Sequence, residues 1–451
     1  MASNRRVLVI AYHYPPEPTS GALRMARLAK YLPEFGWDPV VLTRDAVPVA
    51  GDEKVVRIGR GYTRPPAGVD NGFTVTRSAL TSTLKARARE VLFFPDRAAW
   101  WIPFALTGGL RAYQRWGFDA IVSSAMPASS LVAGAALASM LRVPWIADYR
   151  DLWHGNPYVE EPHWRAKMLL WLERNVLRKA ARITTITEEL ARALFELHQR
   201  PVRAIPNAAD DEEWSDVPFE NPECFRIVHA GSLYDGARNP ERVFAQVAAL
   251  RKAGALHNTS LDFYGPNPGP LLETAQRHGL ADWVHYHGIV DRTTAMRAER
   301  AAALLLIVQN ADSRTASEYG SKIFEYQSAG PRVLAVGPEE SVLRTYIDDN
   351  GLGWFASSDA EIRASLRAAY KTYLTGTTLR KTNGMAPSAR SLAQSFAETL
   401  NGVSAAFPRP GAPAASRAAF DNRENLQAGT VRRARSGFSS ASRSTRSSLR
   451  R

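Results

Sequence analysis

The sequence predicts an α/β protein: two parallel α/β domains facing a central cleft, with a disordered basic tail. Three observations carry this expectation. Short apolar runs alternate with helical patterns up to about Leu400. A linker containing Asp210, Glu213, Pro218 and Pro222 divides the runs into two series. The 451 residues are 45% hydrophobic, enough for a core in each half.

In the first series, the strand Arg6 to Tyr12 leads into the loop His13 to Ser20, Gly21 and a helix from about Ala22 to Phe35. Further strands are expected at Pro39 to Thr43, Ala120 to Ser123, Trp145 to Asp148 and Ile183 to Ile186. The second series has strands at Phe225 to Ala230, Ser260 to Tyr264, Val284 to His287, Ala303 to Val308, Val333 to Val336 and Gly353 to Phe355. Ser388 to Leu400 forms a closing helix. The expected divisions are a first domain over 1–207, a second over 208–386, a closing helix over 387–402 packing back on the first domain, and a tail over 403–451.

The net charge is +13, and ten Arg against Asp421 and Glu424 place +8 of it from Val403 onward, leaving +5 elsewhere. The Ser-, Ala-, Arg- and Pro-rich tail has too few large apolar residues to offset its ordering entropy, so disorder is expected. It reads as a solvated extension or as a tether to anionic lipid. Sparse aromatics and the absence of a recognition motif argue against nucleic acid. No apolar run approaches the ~20 residues that span a bilayer, and Val7 to Ala11 is short for a signal segment. Cys224 is the only cysteine, so no intrachain disulfide can form. A cytoplasmic protein is expected, with possible peripheral contact at the inner membrane face.

The most informative stretch is SKIFEYQSAGPRVLAV, Ser321 to Val336. Lys322 and Glu325 share a face of a predicted helix start, where backbone N–H groups suit phosphate and a carboxylate one turn in suits paired sugar hydroxyls. The ligand implied is a nucleotide sugar, held by a segment that also contains Ile323. In AGSLYDGARN, after a predicted strand, Gly231 and Gly236 allow close backbone approach, and Arg238 can address a diphosphate or remain a surface arginine beside a turn. Arg238 and Lys322 would together neutralise a departing diphosphate. No apolar-flanked Asp-x-Asp motif is present, so neither a metal nor a cofactor is indicated beyond the nucleotide sugar as co-substrate. His285 and His287 alternate with Tyr286 in a strand and read as structural.

In the first domain, Thr19, Ser20 and Gly21 form a loop that can approach sugar or phosphate, with Gly21 expected on the donor and Thr19 and Ser20 on the acceptor, or serve as a plain turn. Asp148, Arg150 and Asp151 stand at the carboxyl end of a predicted parallel strand, where ligands bind in open α/β sheets. Asp148 or Asp151 could orient an acceptor hydroxyl or take its proton, and Arg150 could hold an anionic acceptor; an ion pair among the three explains them equally. The segment LFFPDRAAWWIP, with Phe93, Phe94, Trp100 and Trp101 downstream of Lys85, Arg87 and Arg89, suits a membrane interface or interior packing.

The opening VLVIAYHYPPEPTSGALRMARLAKYLPEFGWDPVVLT, then VPWIADYRDLW, IPNAAD, IVHAGSLYDGARNP and SKIFEYQSAGPRVLAV, in that order, resemble glycosyltransferase family 4 of the GT-B enzymes. The resemblance implies two Rossmann-like domains, a donor held mainly by the second, a saccharide or lipid-linked acceptor held by the first, and retention of anomeric configuration. It implies that Glu325 binds the ribose hydroxyls and that backbone at Gly288, Ile289 and Val290 reads the base. The family pattern sets two glutamates eight positions apart; Ser317 stands eight before Glu325, and Glu318 seven, so Glu318 matches the first glutamate only with a one-residue shift. Retaining transfer in this fold needs no protein nucleophile: the acceptor attacks on the face from which the diphosphate departs, and the leaving phosphate takes its proton. The alternatives are a nucleotide-sugar epimerase of similar fold and a non-catalytic nucleotide-sugar-binding protein. Surface polysaccharide or glycolipid synthesis is the expected context.

Overall fold

The computed structural model describes residues 5–17, 19–44, 53–58, 93–156, 161–310, 312, 315–317, 319–377 and 386–407. Glu318, Lys85, Arg87, Arg89 and the tail from 408 onward lie outside the described residues.

In the first lobe the strands are β1 (Arg5–Ile10), β2 (Trp37–Thr43), β3 (Val55–Arg57), β4 (Ala120–Ser124), β5 (Trp145–Asp148), β6 (Arg182–Thr185) and β7 (Val202–Ala204). They form one parallel sheet in the order β3-β2-β1-β4-β5-β6-β7. Helices cover both faces, which is why β1 reads as an unbroken apolar run rather than an alternation. Helix α1 (Ser20–Tyr31) packs Met25, Leu28 and Tyr31 against Val7, Val9 and Val41. The opposite face carries α2 (Ile102–Trp116), α3 (Ser129–Leu141) and α4 (His163–Leu177), with α5 (Glu188–His198) adding Leu194 to that core.

The first helix starts earlier than expected because Thr19 accepts a hydrogen bond from the Ala22 N–H at 3.2 Å, capping the helix at Ser20. It gives way at Leu32 to a single 3₁₀ turn containing Pro33, ended by Gly36 at φ 79°. Strands β3 and β7 were not expected: each has three half-buried residues at a sheet edge, too short to leave a pattern.

The second lobe begins with a short linker helix α6 (Asp211–Ser215) and contains β8 (Phe225–Ala230), β9 (Thr259–Tyr264), β10 (Val284–Gly288), β11 (Leu304–Val308), β12 (Val333–Val336) and β13 (Gly353–Ala356). This parallel sheet has the order β10-β9-β8-β11-β12-β13. Its helices are α7 (Glu241–Lys252), α8 (Leu271–Arg277), α9 (Arg292–Arg300), α10 (Lys322–Ala329), α11 (Val342–Asp349) and α12 (Asp359–Leu374). The two sheets are therefore Rossmann-like α/β units.

The chain then returns to the first lobe. Pro387 and Ala389 pair with Ala209 through backbone hydrogen bonds of 3.0 and 2.7 Å, and α13 (Ala389–Ala406) lays Leu392, Phe396 and Leu400 against α1. Trp37 donates its indole N–H to Asn401 at 3.1 Å. Val403 continues the buried stripe, so the helix runs past the point where the tail was expected to begin.

The aromatic segment before α2 divides. Trp101 belongs to the core and donates its indole N–H to the Ile58 carbonyl at 2.9 Å, whereas Trp100 is exposed.

Candidate functional site between the two lobes

Ligands in open parallel sheets bind beyond the carboxyl ends of the strands. At that edge of the second sheet, β8 runs into Gly231, whose N–H bonds to the Tyr264 carbonyl at 2.7 Å, and a short turn over Tyr234–Gly236. Gly236 has φ 94°, a conformation that glycine adopts without strain. Arg238 follows, its guanidinium 4.5 Å from the Tyr234 ring. Tyr326 on α10 ties this loop to the helix, because its hydroxyl accepts the Ala230 N–H at 2.9 Å.

Helix α10 begins without a side-chain cap, and Lys322 opens it. The Lys322 ammonium bonds to Glu325 at 2.7 Å, across one turn, and to Glu299 of α9 at 3.0 Å. Arg292 bridges Glu325 at 3.0 Å and Glu213 of the linker helix at 2.9 Å. From the first lobe, Arg27 reaches Glu213 at 2.8 Å and Glu325 at 3.7 Å. Three cations and three carboxylates thus form one network between the lobes.

Burial would raise the Glu325 carboxyl, but Lys322, Arg292 and Arg27 outweigh it and hold the group far below the usual carboxylate range. Glu299 behaves oppositely: burial pushes it up, and Lys322 only partly offsets this while the Glu325 charge adds to it. Lys322 is raised because the two glutamates outweigh its own burial.

His229, near the end of β8, is buried beside these groups. Its Nδ1–H donates to the Leu306 carbonyl at 3.0 Å, leaving Nε2 as a buried atom without a partner. Burial, with Arg238 and Lys322 nearby, pushes the imidazole down to about 4, so it is neutral near pH 7.

Sequence-predicted residues divide by placement. Lys322, Glu325, Gly231 and Arg238 converge on the carboxyl edge of the second sheet. Ile323 does not line it: its side chain is fully buried in the second core, a consequence of its position on the inner face of α10. Gly288 ends β10 at φ 68° and bonds through its carbonyl to the Gly265 N–H, Ile289 is exposed and Val290 is half-buried. His287 pairs with Asp262 at 2.6 Å and stacks on Tyr264. Ser317 uses its carbonyl to accept the Thr187 hydroxyl at 2.9 Å, a contact between the lobes.

In the first lobe, Ser20, Gly21, Arg150 and Asp151 come together. The Arg150 guanidinium lies over Gly21 so closely that a Cβ there would stand 2.6 Å from Nη2. Its Nη1 is 2.9 Å from Asp151 and 3.4 Å from the Ser20 hydroxyl. Thr19 is engaged as the helix cap. Asp148 stands apart, fully buried. Arg24 binds both its oxygens at 3.0 and 3.1 Å, and Ser124 and Thr184 each donate at 2.9 Å. Its ion partner is Arg24, not Arg150, so the expected pairing of Arg150 with both aspartates is seen for Asp151 alone.

A narrow gap between the lobes, with room for about one water, is lined by Ser20, Arg24, Arg27 and Asn207 on one side and by Ser321 and Glu325 on the other. The starts of α1 and α10 therefore open onto one space. Sequence reasoning missed Arg27, Glu213, Arg292, Glu299, Tyr326 and His229. The one available signal was Tyr326, four residues after Lys322 and so on the same helix face.

Comparison with known proteins bears on this arrangement. Residues 21–208 match the family described as glycosyl transferase 4-like domain. The first lobe is thus similar to a glycosyl transferase 4-like domain. Among solved structures, sucrose-phosphate synthase from Thermosynechococcus elongatus aligns over 96% of this chain and 100% of its own, with a TM-score of 0.58 and 14% identity. HepE from Anabaena, in complex with UDP and glucose, aligns over 89% of this chain and 97% of its own (TM-score 0.56, 13% identity). UDP-GlcNAc 2-epimerase from Methanocaldococcus jannaschii aligns over 88% and 99% (TM-score 0.50, 11% identity). At these identities the likeness is one of fold, and the two lobes together have the GT-B architecture. No curated protein matches the sequence.

Proposed function

We propose that the protein transfers a sugar from a nucleoside-diphosphate donor to a hydroxyl of a saccharide or lipid-linked acceptor, with retention of anomeric configuration, in surface polysaccharide or glycolipid synthesis at the cytoplasmic face of a membrane. One observation carries this reading: the starts of α1 and α10, one from each lobe, face each other across one narrow gap. A donor held by the second lobe would present its sugar to an acceptor held by the first.

Glu325 directs Oε2 to Lys322 and Arg292, while Oε1 faces Arg27 at 3.7 Å, so Oε1 is the atom offered to the ribose hydroxyls. Lys322 has three N–H donors, of which Glu299 and Glu325 take two, and the third is assigned to the diphosphate. Arg238 supplies a second cation, and the backbone at Gly288, Ile289 and Val290 the base contacts. Acceptor attack and diphosphate departure share one face of the sugar, and the leaving phosphate takes the acceptor proton. Catalysis is then positioning plus charge stabilisation, without a metal. Arg150 and Asp151 are assigned to the acceptor, with Ser20 and Gly21 beneath them.

The test is thermal stabilisation by a panel of UDP, GDP, ADP and TDP sugars, followed by transfer assays with the stabilising donor. Selective stabilisation is expected, and UDP sugars come first because HepE binds UDP. No shift with any of them would overturn the donor assignment. The fold likeness to UDP-GlcNAc 2-epimerase favours a second reading, distinguished by turnover of the donor alone, without acceptor.

A further inference from the structure

We propose that the outward face of α4 docks on an anionic lipid bilayer. Trp164, Met168 and Trp171 recur along this helix at i, i+4 and i+7, and all are exposed, Trp171 to 66%. Large apolar side chains in one stripe on a helix mark a contact surface rather than ordinary scatter. Lys167, Arg174 and Arg178 are exposed on the same face. The one carboxylate of the helix, Glu173, is fully buried on the opposite side, where it takes His198 at 2.8 Å and the His154 N–H at 3.0 Å. The outward face is therefore aromatic and cationic with no acidic residue, the composition that lies in the plane of a bilayer interface.

Charge decides between occupants. A second copy of this face would bring Lys167, Arg174 and Arg178 against their own counterparts, whereas anionic headgroups complement them. Position supports the same choice. Helix α4 follows the loop that carries Arg150 and Asp151, and Arg165 fastens its start to the aromatic segment by donating to the Pro95 carbonyl at 2.9 Å. Exposed Trp100 and Phe104, in edge contact at 6.0 Å, add aromatic surface on that neighbouring segment. A bilayer against α4 would present lipid headgroups beside the loop assigned to the acceptor. The biological use of the surface rests on that acceptor assignment, but its physical test does not.

The test is co-sedimentation of the full chain with vesicles of phosphatidylcholine alone or mixed with phosphatidylglycerol. Binding to the mixed vesicles only, weakened by salt, is expected. Trp164→Ser with Trp171→Ser, and separately Lys167→Glu with Arg174→Glu, should each lower the bound fraction about fivefold or more while the unfolding midpoint holds. Binding that survives both pairs, as it would if the Arg-rich segment from 408 onward carried it, overturns the proposal. So does a failure to bind anionic vesicles, or a dimer that the same substitutions abolish. Donor-induced thermal stabilisation, measured in parallel, keeps the outcomes separate: retained donor binding without vesicle binding removes this inference and leaves the proposed function standing.

Discussion

Arg27 of α1 and Glu325 of α10 approach to 3.7 Å between the two lobes, both nearly fully buried and both held by further ion pairs. The contact joins the proposed donor carboxylate to the first helix of the first lobe. Arg27 also donates to Glu213 and to the Ala208 carbonyl, at 2.8 and 2.6 Å. Removing one partner of a buried charge network is costly because the other charge stays behind. Arg27→Ala is therefore expected to lower stability by about 2–3 kcal/mol, at the low end for buried pairs because Glu213 is partly exposed. Calorimetry reads this as a lower unfolding midpoint, and an unchanged midpoint would mean the network does not couple the lobes.

Asp148 and Asp151 stand at the same strand end but should respond differently. Asp148 is fully buried and accepts four hydrogen bonds, so Asp148→Ala strands the Arg24 charge and should cost about 3–5 kcal/mol, much of the stability of a typical domain. Asp151 is a partly exposed partner of Arg150, and Asp151→Ala should change stability by less than about 1 kcal/mol. Thermal melts of the two variants decide the matter. A well-folded Asp148→Ala protein lacking only transfer activity would restore Asp148 to the catalytic candidates.

Much of the fold was legible because parallel strands covered on both faces read as continuous apolar runs, as in Val7 to Ile10 and Leu304 to Val308. Strands β3 and β7 left no such trace, being three half-buried residues each. Lys322 and Glu325 were legible because their pairing is local, one turn of one helix. Their partners were not. Arg27 reads as a surface residue of an amphipathic helix, and only the approach of the two lobes buries it against Glu213 and Glu325. The surroundings of Asp148 were hidden for the same reason: its partners Arg24, Ser124 and Thr184 come from three other elements.

His229 carries a pH dependence whose sign follows from its neutral burial. Its folded value of about 4 lies below the unfolded value of about 6.5, so the unfolded chain binds more protons between those limits and stability falls as pH drops through that window. At pH 5 the expected loss from this group is about 2 kcal/mol relative to pH 7. His229→Gln removes the titrating group, and the difference in unfolding midpoint between pH 7 and pH 5 should shrink accordingly. Equal pH dependence in the two proteins would contradict the neutral assignment.

Arg238 and Lys322 are both assigned to the diphosphate, yet they differ in what else they hold. Arg238 stands beside Tyr234 at the rim, so Arg238→Ala should lower kcat about 10²–10³-fold with little change in melting. Lys322 also neutralises Glu299 and Glu325, and Lys322→Ala should lose activity and stability together. Steady-state kinetics beside thermal melts separates the two patterns. Near-normal turnover in both variants would remove the diphosphate assignment.

Gly21 tests the acceptor side without touching the donor groups. A methyl group there would meet the Arg150 guanidinium at 2.6 Å, and because the obstructing atoms end a flexible side chain, Arg150 can swing away without unfolding the loop. Gly21→Ala should therefore leave melting within about 1 kcal/mol of the parent, since the helix propensity that alanine adds in the first turn of α1 offsets the displacement of Arg150. Swinging Arg150 aside also breaks its contacts with Ser20 and Asp151, so the groups assigned to the acceptor lose their common geometry. The expected signature is a raised KM for the acceptor with an unchanged Kd for the donor, the split that marks lost ground-state binding on one substrate alone. A variant that instead weakened the donor and spared the acceptor would place the sugar donor, not the acceptor, against Arg150.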